Sequence, residues 1–599
     1  MMNNYEYWLT LDSETRAELE AITDKAELED RFYKELEFGT GGMRGVMGAG
    51  ANRMNKYTVA RATKGLADML TAENGGSVAI AYDSRRNSAD FARTAAGVLC
   101  KAGIKVYLFD TLMPTPVLSF AVRYHGCSAG IVITASHNPK EYNGYKVYDS
   151  KGCQLVPDDA ERLIGYVNAV TDLGGIPLMP LDEAEKAGRL TYIGEETLEA
   201  FLCEVKKLSL YSEKSDLRIV YTPLHGTGNI PVRRILADKN VSVVAAQELP
   251  DGEFSTVRSP NPEEHDALLL AIEQAKAEGA DIVIGTDPDC DRVGVGVKTG
   301  EGFTLLTGNQ TGALLTDFIL KFKKEIPANA AIVKTIVTSG IGAAIAAERG
   351  VQTVQTLTGF KYIGKKICDW ELSGEHTFIF GYEESYGYLA GTHARDKDAV
   401  SSSMLIAEMA AYYKSQGMTL IDALNGVYAK YGYYYDCLET LVLKGKAGAE
   451  KICAAMSALR AEGSGLFDDI EHVSDYLTGI EIVDLEHQQL FCIVERAYQL
   501  VKSNDVITCY DELLSIIHEL TDYTVTHFAD EEAYMEKIGY EGLAAQKNAH
   551  ASFVASLESI NLIELDENPQ KYMESLIEFL LGWLINHILY SDKKIPVQA

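Results

Sequence analysis

Apolar, β-branched runs that stop at polar, glycine-bearing turns recur along roughly the first 430 residues. Each such run predicts a buried strand. They fall at 78–83, 105–109, 131–133, 217–221, 281–285, 331–337 and 377–380. Helical periodicities at 61–73 and 89–102 alternate with the early strands, and an acidic amphipathic stretch at 11–37 leads into them. Strands alternating with helices predict doubly wound α/β structure. The pattern runs through three successive units, 1–205, 206–303 and 304–432, followed by a transitional segment at 433–478. From 479 to 599 the pattern changes to long amphipathic helices at about 486–503, 508–529, 541–560 and 569–590. Short connections between them predict an all-α four-helix bundle. The fold class is therefore multidomain α/β followed by an all-α domain, as a length of 599 residues allows.

The candidate chemistry sits where the strands stop, since ligands bind at strand ends in α/β sheets. The run Ile131–Ile133 ends at Thr134-Ala135-Ser136-His137-Asn138-Pro139. A serine held there beside a histidine is a candidate covalent carrier, because a hydroxyl needs a positioned base to become nucleophilic. Upstream, Phe38-Gly39-Thr40-Gly41-Gly42-Met43-Arg44-Gly45 pairs close backbone approach with a forked cation suited to phosphate. Another strand runs directly into Thr286-Asp287-Pro288-Asp289-Cys290-Asp291-Arg292. Three alternating carboxylates offer hard oxygen ligands of the kind Mg²⁺ prefers, with room for a substrate or phosphoserine oxygen. Two further loops, Thr358-Gly359-Phe360-Lys361 and Gly381-Tyr382-Glu383-Glu384-Ser385-Tyr386-Gly387, complete the set. One shared cleft is the economical reading.

Charge and cysteine usage narrow the function classes. A net charge of −31 argues against nucleic acid and anionic membrane surfaces as partners. An anionic substrate then needs local cations to reverse the field. The ten cysteines form no CxxC pair, as expected of a reducing compartment. The N-terminus carries no basic and apolar leader pattern and no apolar run reaches membrane-span length, so a cytoplasmic location is expected.

The three loops, in this order, resemble the α-D-phosphohexomutase superfamily, and within it the phosphoglucomutase/phosphomannomutase branch, from near the N-terminus to about residue 460. The resemblance implies that Ser136 carries a phosphoryl group and that Asp287, Asp289 and Asp291 hold Mg²⁺ against it. It implies that Thr358, Gly359, Lys361, Glu383, Ser385 and Arg395 bind the sugar phosphate, and that Arg44, His137, Lys146 and Arg292 handle charge and protons. The implied reaction interconverts hexose 1-phosphate and hexose 6-phosphate, of glucose or mannose, with the hexose 1,6-bisphosphate as intermediate and activator. Cys290 stands where a small residue is expected. The family's fourth domain supplies an Arg/Ser/Gly/Thr loop for the distal phosphate, and no comparable loop is legible after Leu438–Leu443 and the helix predicted at 448–461.

In the last 120 residues histidine concentrates, at His487, His518, His527, His550 and His587. Four inward imidazoles with Glu531 and Asp592 read as a dinuclear site, and imidazole with bridging carboxylate suits iron. The segments Asp484–His487, His527–Glu532 and His587–Asp592 resemble bacterial hemerythrin. That family binds O2 reversibly at a non-haem di-iron centre. The resemblance implies that His487 and His527 ligate one iron, His550 and His587 the other, with Glu531 and Asp592 bridging. Gln546 stands where the family has a further histidine, which weakens the second iron position, and His518 reads as structural. The leading expectation is a phosphohexomutase fused to this iron- and O2-binding bundle. Its competitors are an oxygen- or iron-responsive binding protein with a degenerate mutase part, and a sugar-phosphate phosphatase.

Overall fold

The computed structural model describes residues 5–39, 42–73, 75–300, 302–436, 445–462, 510–558 and 591–596, with positions 478, 480, 483, 486, 487, 490, 493, 583, 587 and 588. The chain divides into two compact units, Met1–Lys446 and Ala447–Ala599.

The first unit holds three sheets. The first comprises β1 (Met43–Val46), β2 (Ser77–Tyr82), β3 (Lys105–Phe109), β4 (Ala129–Ile133), β5 (Tyr142–Asp149) and β6 (Leu190–Ile193), in the order β1-β5-β4-β2-β3-β6. The second comprises β7 (Arg218–Thr222), β8 (Asn240–Val243), β9 (Ile282–Thr286), β10 (Val293–Thr299) and β11 (Gly302–Leu306), in the order β11-β10-β9-β7-β8. The third comprises β12 (Ala330–Thr335), β13 (Gln352–Thr356), β14 (Thr377–Glu383) and β15 (Gly387–Ala390), in the order β13-β12-β14-β15.

One local plan is used three times. Each of β4, β9 and β14 pairs in parallel with one neighbour, namely β2, β7 and β12. On its other side each turns back through a loop into an antiparallel partner, β5, β10 or β15. The sheets are thus mixed rather than the purely parallel doubly wound type. An antiparallel return needs only a loop, whereas a parallel one needs a crossover of a dozen residues or more. Helices cover both faces and bury β4 and β9 completely, which is why their sequences are apolar up to the final Thr286 of β9.

Several boundaries differ from the sequence reading. The lead-in at 11–37 is not one helix. It is three short helices, Tyr5–Trp8, Ser13–Glu20 and Lys25–Phe32, the last two started by Asp12 and Asp24, whose carboxylates cap free backbone N–H groups. Asn55 likewise starts the helix Lys56–Ala72 five residues earlier than the apolar periodicity suggests. The run 331–337 leaves the sheet at Thr335, and Ile336 and Val337 are each 55% exposed.

In the second unit the helices Tyr510–Ile538 and Leu543–Glu558 pack against each other. Phe528, Met535 and Phe553 are buried. The stretches at 486–503 and 569–590 are described only at isolated positions, which are helical. A helix spans Gly445–Glu462, bracketing the one expected there, while Leu438–Leu443 lies outside the described residues. No helix among the described residues is long and apolar enough to cross a membrane.

Candidate active site and candidate metal centre

The three returns carry the loops singled out in the sequence. The β4–β5 return presents Ser136, the β9–β10 return presents Asp287, Asp289 and Asp291, and the β14–β15 return follows Glu383 and holds Ser385. Each return places one non-glycine residue in the left-handed backbone region: Ser136 at φ 52°, Cys290 at φ 54° and Tyr386 at φ 61°. Such residues cost about 1–3 kcal/mol each and persist where surrounding contacts over-determine them.

Those contacts bring the first two loops together. The Ser136 hydroxyl donates to Asp287 Oδ2 at 2.7 Å and lies 3.1 Å from His137 Nδ1. Backbone N–H groups of Asp291 and Arg292 donate to Asp287 Oδ1, each at 3.0 Å. Lys146, on β5 opposite Val132, reaches Asp289 at 2.9 Å and Asp291 at 3.5 Å. The three aspartates are at most 1% exposed. Burial and the neighbouring Asp289 and Asp291 charges push the Asp287 carboxyl well above the usual carboxylate range. Burial acts the same way on Asp289, but Lys146 outweighs it and holds that carboxyl below the range. Burial, with the Arg292 and Arg44 charges, pushes His137 down to about 2, so its ring is neutral.

The metal loop is braced from behind by Thr222-Pro223-Leu224-His225-Gly226-Thr227-Gly228, whose Thr227 N–H and hydroxyl both donate to the Pro288 carbonyl, at 2.8 and 2.9 Å. A Cβ on Gly226 would sit 2.5 Å from the Pro288 Cα, so that approach needs glycine. On the far side an isolated bridge joins Arg292 to Gly387, and the Val293 N–H donates to the Tyr386 carbonyl at 3.1 Å. The metal loop and the Glu383 loop are therefore stitched through backbone.

The remaining expected residues divide. Arg44, exposed on β1, donates to Asn138 Oδ1 at 3.1 Å, which puts it at the serine loop. Arg292 pairs with Glu263. The buried Glu383 carboxylate accepts the Gly359 N–H at 3.0 Å, linking two expected sugar loops. Thr358 is exposed, Ser385 is half-buried, and Lys361 lies over the Tyr362 ring. Thr40 and Gly41 lie outside the described residues.

Arg395 is the correction. It is fully buried, its guanidinium donates to the carbonyls of Thr392 and Ala394, and it pairs with Glu371. Both of its terminal nitrogens are engaged within the fold. The cation that reaches the cleft is Lys397, two residues on, at 3.3 Å from Asp291 and 3.8 Å from Asp396.

Three more contributors were missed. Arg85 is buried and donates to the carbonyls of Ser136, Asn138, Pro139 and Tyr142, so one guanidinium holds the whole serine loop. Asp83 pairs with Arg85 at 3.3 Å and accepts the Thr134 hydroxyl at 2.7 Å. Thr115 donates its hydroxyl to Asp289 at 2.9 Å.

The aspartate triad fits a hard divalent cation. One carboxylate oxygen from each aspartate lies within 4.8 Å of the others, and the Oδ1 atoms of Asp289 and Asp291 are buried without a hydrogen-bond partner. Buried, unsatisfied carboxylate oxygens are costly unless a cation takes them.

The second unit concentrates a different donor set. His487, His527, Glu531, His550, His587 and Asp592 are all buried. His487 Nε2 and His587 Nε2 lie 3.3 and 3.2 Å from the two oxygens of Asp592. Glu531 Oε2 lies 3.2 Å from His550 Nε2 and 4.0 Å from His527 Nε2. The outer nitrogens of two rings are tied to carboxylates, His527 Nδ1 to Glu486 at 2.9 Å and His550 Nδ1 to Glu532 at 2.8 Å. That outward pairing fixes the ring so that Nε2 faces a metal. Burial pushes His527 down to about 3 and His587 to about 4, which keeps both rings neutral and able to ligate. Both Glu531 oxygens, His487 Nε2, His527 Nε2 and Asp592 Oδ2 lack a hydrogen-bond partner, as expected of metal ligands. Gln546 reaches the same centre. The His518 side chain lies outside the described residues.

Three repeated α/β sheets that converge a serine, an aspartate triad and a rim of cations define a phosphotransferase of the mutase class. Residues 35–173, 199–300 and 307–431 match domains I, II and III of phosphoglucomutase/phosphomannomutase, and residues 478–595 match the hemerythrin HHE cation binding domain. The chain is 40% identical over 465 residues to the phosphoglucomutase of Staphylococcus haemolyticus, covering 76% of this chain and 82% of that one. It is 38% identical over 495 residues to the phosphoglucomutase of Staphylococcus aureus, covering 81% and 87%. A solved phosphoglucomutase/phosphomannomutase family protein from Burkholderia thailandensis shares the fold, with TM-score 0.53, 20% identity, and 65% and 79% of the two chains covered. The chain belongs to the phosphoglucomutase/phosphomannomutase family and carries a hemerythrin HHE domain behind it.

Proposed function

We propose that the first unit interconverts hexose 1-phosphate and hexose 6-phosphate, with glucose as the first candidate, through a phosphoserine at Ser136. The observation that carries this reading is the 2.7 Å contact between the Ser136 hydroxyl and the buried Asp287 carboxylate. It sets the serine oxygen against the hard oxygen ligands of the aspartate triad.

In this reading the phosphoryl group on Ser136 passes to the free hydroxyl of the bound sugar phosphate, and the hydroxyl proton leaves to a base in the cleft. The resulting hexose 1,6-bisphosphate returns its other phosphoryl group to the Ser136 oxygen. Asp287, Asp289, Asp291 and the serine oxygen would hold Mg²⁺, which when bound would supply positive charge to the phosphoryl oxygens. Phosphoryl transfer is catalysed mainly by positioning and charge stabilisation. Here Arg44, Arg292, Lys146 and Lys397 supply the fixed cations, and the neutral His137 ring, 3.1 Å from the Ser136 oxygen, orients that oxygen. Glu383, with the Gly359 N–H fixing its carboxylate, receives the sugar hydroxyls, and Thr358, Lys361 and Ser385 line the approach. A cytoplasmic setting is supported by the seven described cysteines, which are all free.

In the second unit, we propose a non-haem iron pair. His487 and His527 would serve one iron and His550 and His587 the other, Glu531 and Asp592 would be shared between them, and O2 would be the prospective ligand. The two oxygens of Asp592 facing two different imidazoles support that bridging role.

The test is turnover of glucose 1-phosphate with Mg²⁺ and a trace of glucose 1,6-bisphosphate, with glucose 6-phosphate and free phosphate followed separately. Glucose 6-phosphate formation that disappears in Ser136→Ala is the expected result. Free phosphate alone replaces this reading with a phosphatase.

A further inference from the structure

Gln546 and His550 lie four residues apart on the helix Leu543–Glu558 and so share one face. Gln546 is 5% exposed, and its Nε2 donates to Asp592 Oδ1 at 3.0 Å, the same oxygen that lies 3.2 Å from His587 Nε2. An amide beside a carboxylate turns its NH2 inward, because its oxygen would be repelled. The amide nitrogen has no lone pair to give, so Gln546 braces Asp592 rather than supplying a donor.

This half of the centre therefore draws its nitrogen from His550 and His587, whose Nε2 atoms are 3.0 Å apart. Glu531 joins them, since one atom from each of Glu531, His550 and His587 lies within 4.8 Å of the others, and Asp592 is shared with the other half. Two imidazoles and two shared carboxylates on non-haem iron would still leave coordination positions free for an outside ligand. The two rings are clamped from the side: Phe528 stacks on His550 at 3.9 Å and 1°, and Trp583 on His587 at 4.3 Å and 16°. Rings held this way cannot swing to fill the gap.

We infer that the His550, His587 and Glu531 half of the centre keeps a position open to a small exogenous anion because Gln546 stands beside Asp592 instead of a nitrogen ligand. The inference rests on the iron reading above and goes beyond it by naming the open half, the residue that leaves it open and the class of ligand.

The full chain, loaded with iron(II), oxidised in air and dialysed, is titrated with azide. Iron and bound azide per chain are counted, and the azide-to-iron absorption band is recorded. Gln546→His is expected to keep the iron but to lose about one azide equivalent per chain, or at least tenfold in affinity for it. Gln546→Glu, closer in shape to the native side chain, is expected to do the same by supplying a carboxylate oxygen. Gln546→Ala, which leaves the position open, is expected to hold as much azide as the unaltered protein. Unchanged azide uptake in either filling variant overturns the inference. An unaltered chain that retains no iron overturns the iron reading, and this inference with it.

Discussion

Arg85 Nη2 donates to the carbonyl oxygen of Ser136 at 2.6 Å, so the backbone of the serine loop hangs on a residue 51 positions earlier in the chain. Three further carbonyls of that loop share the same guanidinium. Lysine offers a point charge and no fork. Arg85→Lys is expected to keep the sheet but let the loop wander, lowering kcat for glucose 1-phosphate about 100-fold with little change in KM. A variant with unchanged kcat would remove Arg85 from any positioning role.

Ser136→Ala deletes the carrier oxygen and one hydrogen bond. Activity is expected to fall to background while the melting temperature stays within a few degrees, since the cost of a lost hydrogen bond is about 1 kcal/mol. Incubation with glucose 1,6-bisphosphate should phosphorylate the unaltered chain and not this variant, as read by intact mass.

The aspartate triad makes stability depend on cations. Mg²⁺ at 100 times its Kd should add about 2.7 kcal/mol relative to EDTA. Lys146→Met takes the nearest fixed cation, at 2.9 Å, from Asp289. Its cost is expected to be about 3 kcal/mol in EDTA and clearly smaller in Mg²⁺. Equal losses in the two conditions, measured by denaturant unfolding, would disconnect Lys146 from the metal site.

Asp12 gives the N-terminal helices a pH dependence. Burial alone would raise its carboxyl, but the Tyr57 hydroxyl, the Thr15 N–H and Lys56 outweigh burial and hold it well below the aspartate range. A depressed carboxyl contributes stability above its unfolded value, near pH 3.9, and loses it as pH falls further toward the folded value. Protection against hydrogen exchange over residues 13–20, relative to the intrinsic rate at each pH, should therefore fall below about pH 4. Asp12→Asn keeps the cap but carries no charge, and its profile is expected to be flat across that range.

Much of this was legible from the chain alone, and the reasons are physical. Strands buried on both faces must be apolar throughout, so β4 and β9 announce themselves, and the chemistry begins at the first polar residue after each. The antiparallel partners are harder to see. β10 alternates valine with glycine, and β15 is only four residues long. Arg85 escaped notice because it acts on backbone carbonyls, which no motif records. Its one signal is position: Asp83-Ser84-Arg85 follows directly on the end of β2. Arg395 and Lys397 flank Asp396, and the sequence leaves open which of them turns toward the cleft. In the bundle, His487, His527, His550 and His587 were legible from helical spacing. The inward turn of Gln546 was not, because it depends on where Asp592 arrives 46 residues later.

The bridge from Arg292 to Gly387 constrains how any reaction in the cleft can proceed. A loop tied at both ends to strands, and sewn along its flank to the loop of the next sheet, cannot travel without carrying two sheets with it. The serine, fixed by Arg85 at one end and facing Asp287 at the other, has no more freedom. In the proposed reaction a serine oxygen held this way would present a single stationary address to both ends of the sugar, and the small molecule, not the frame, would have to pivot between the two transfers.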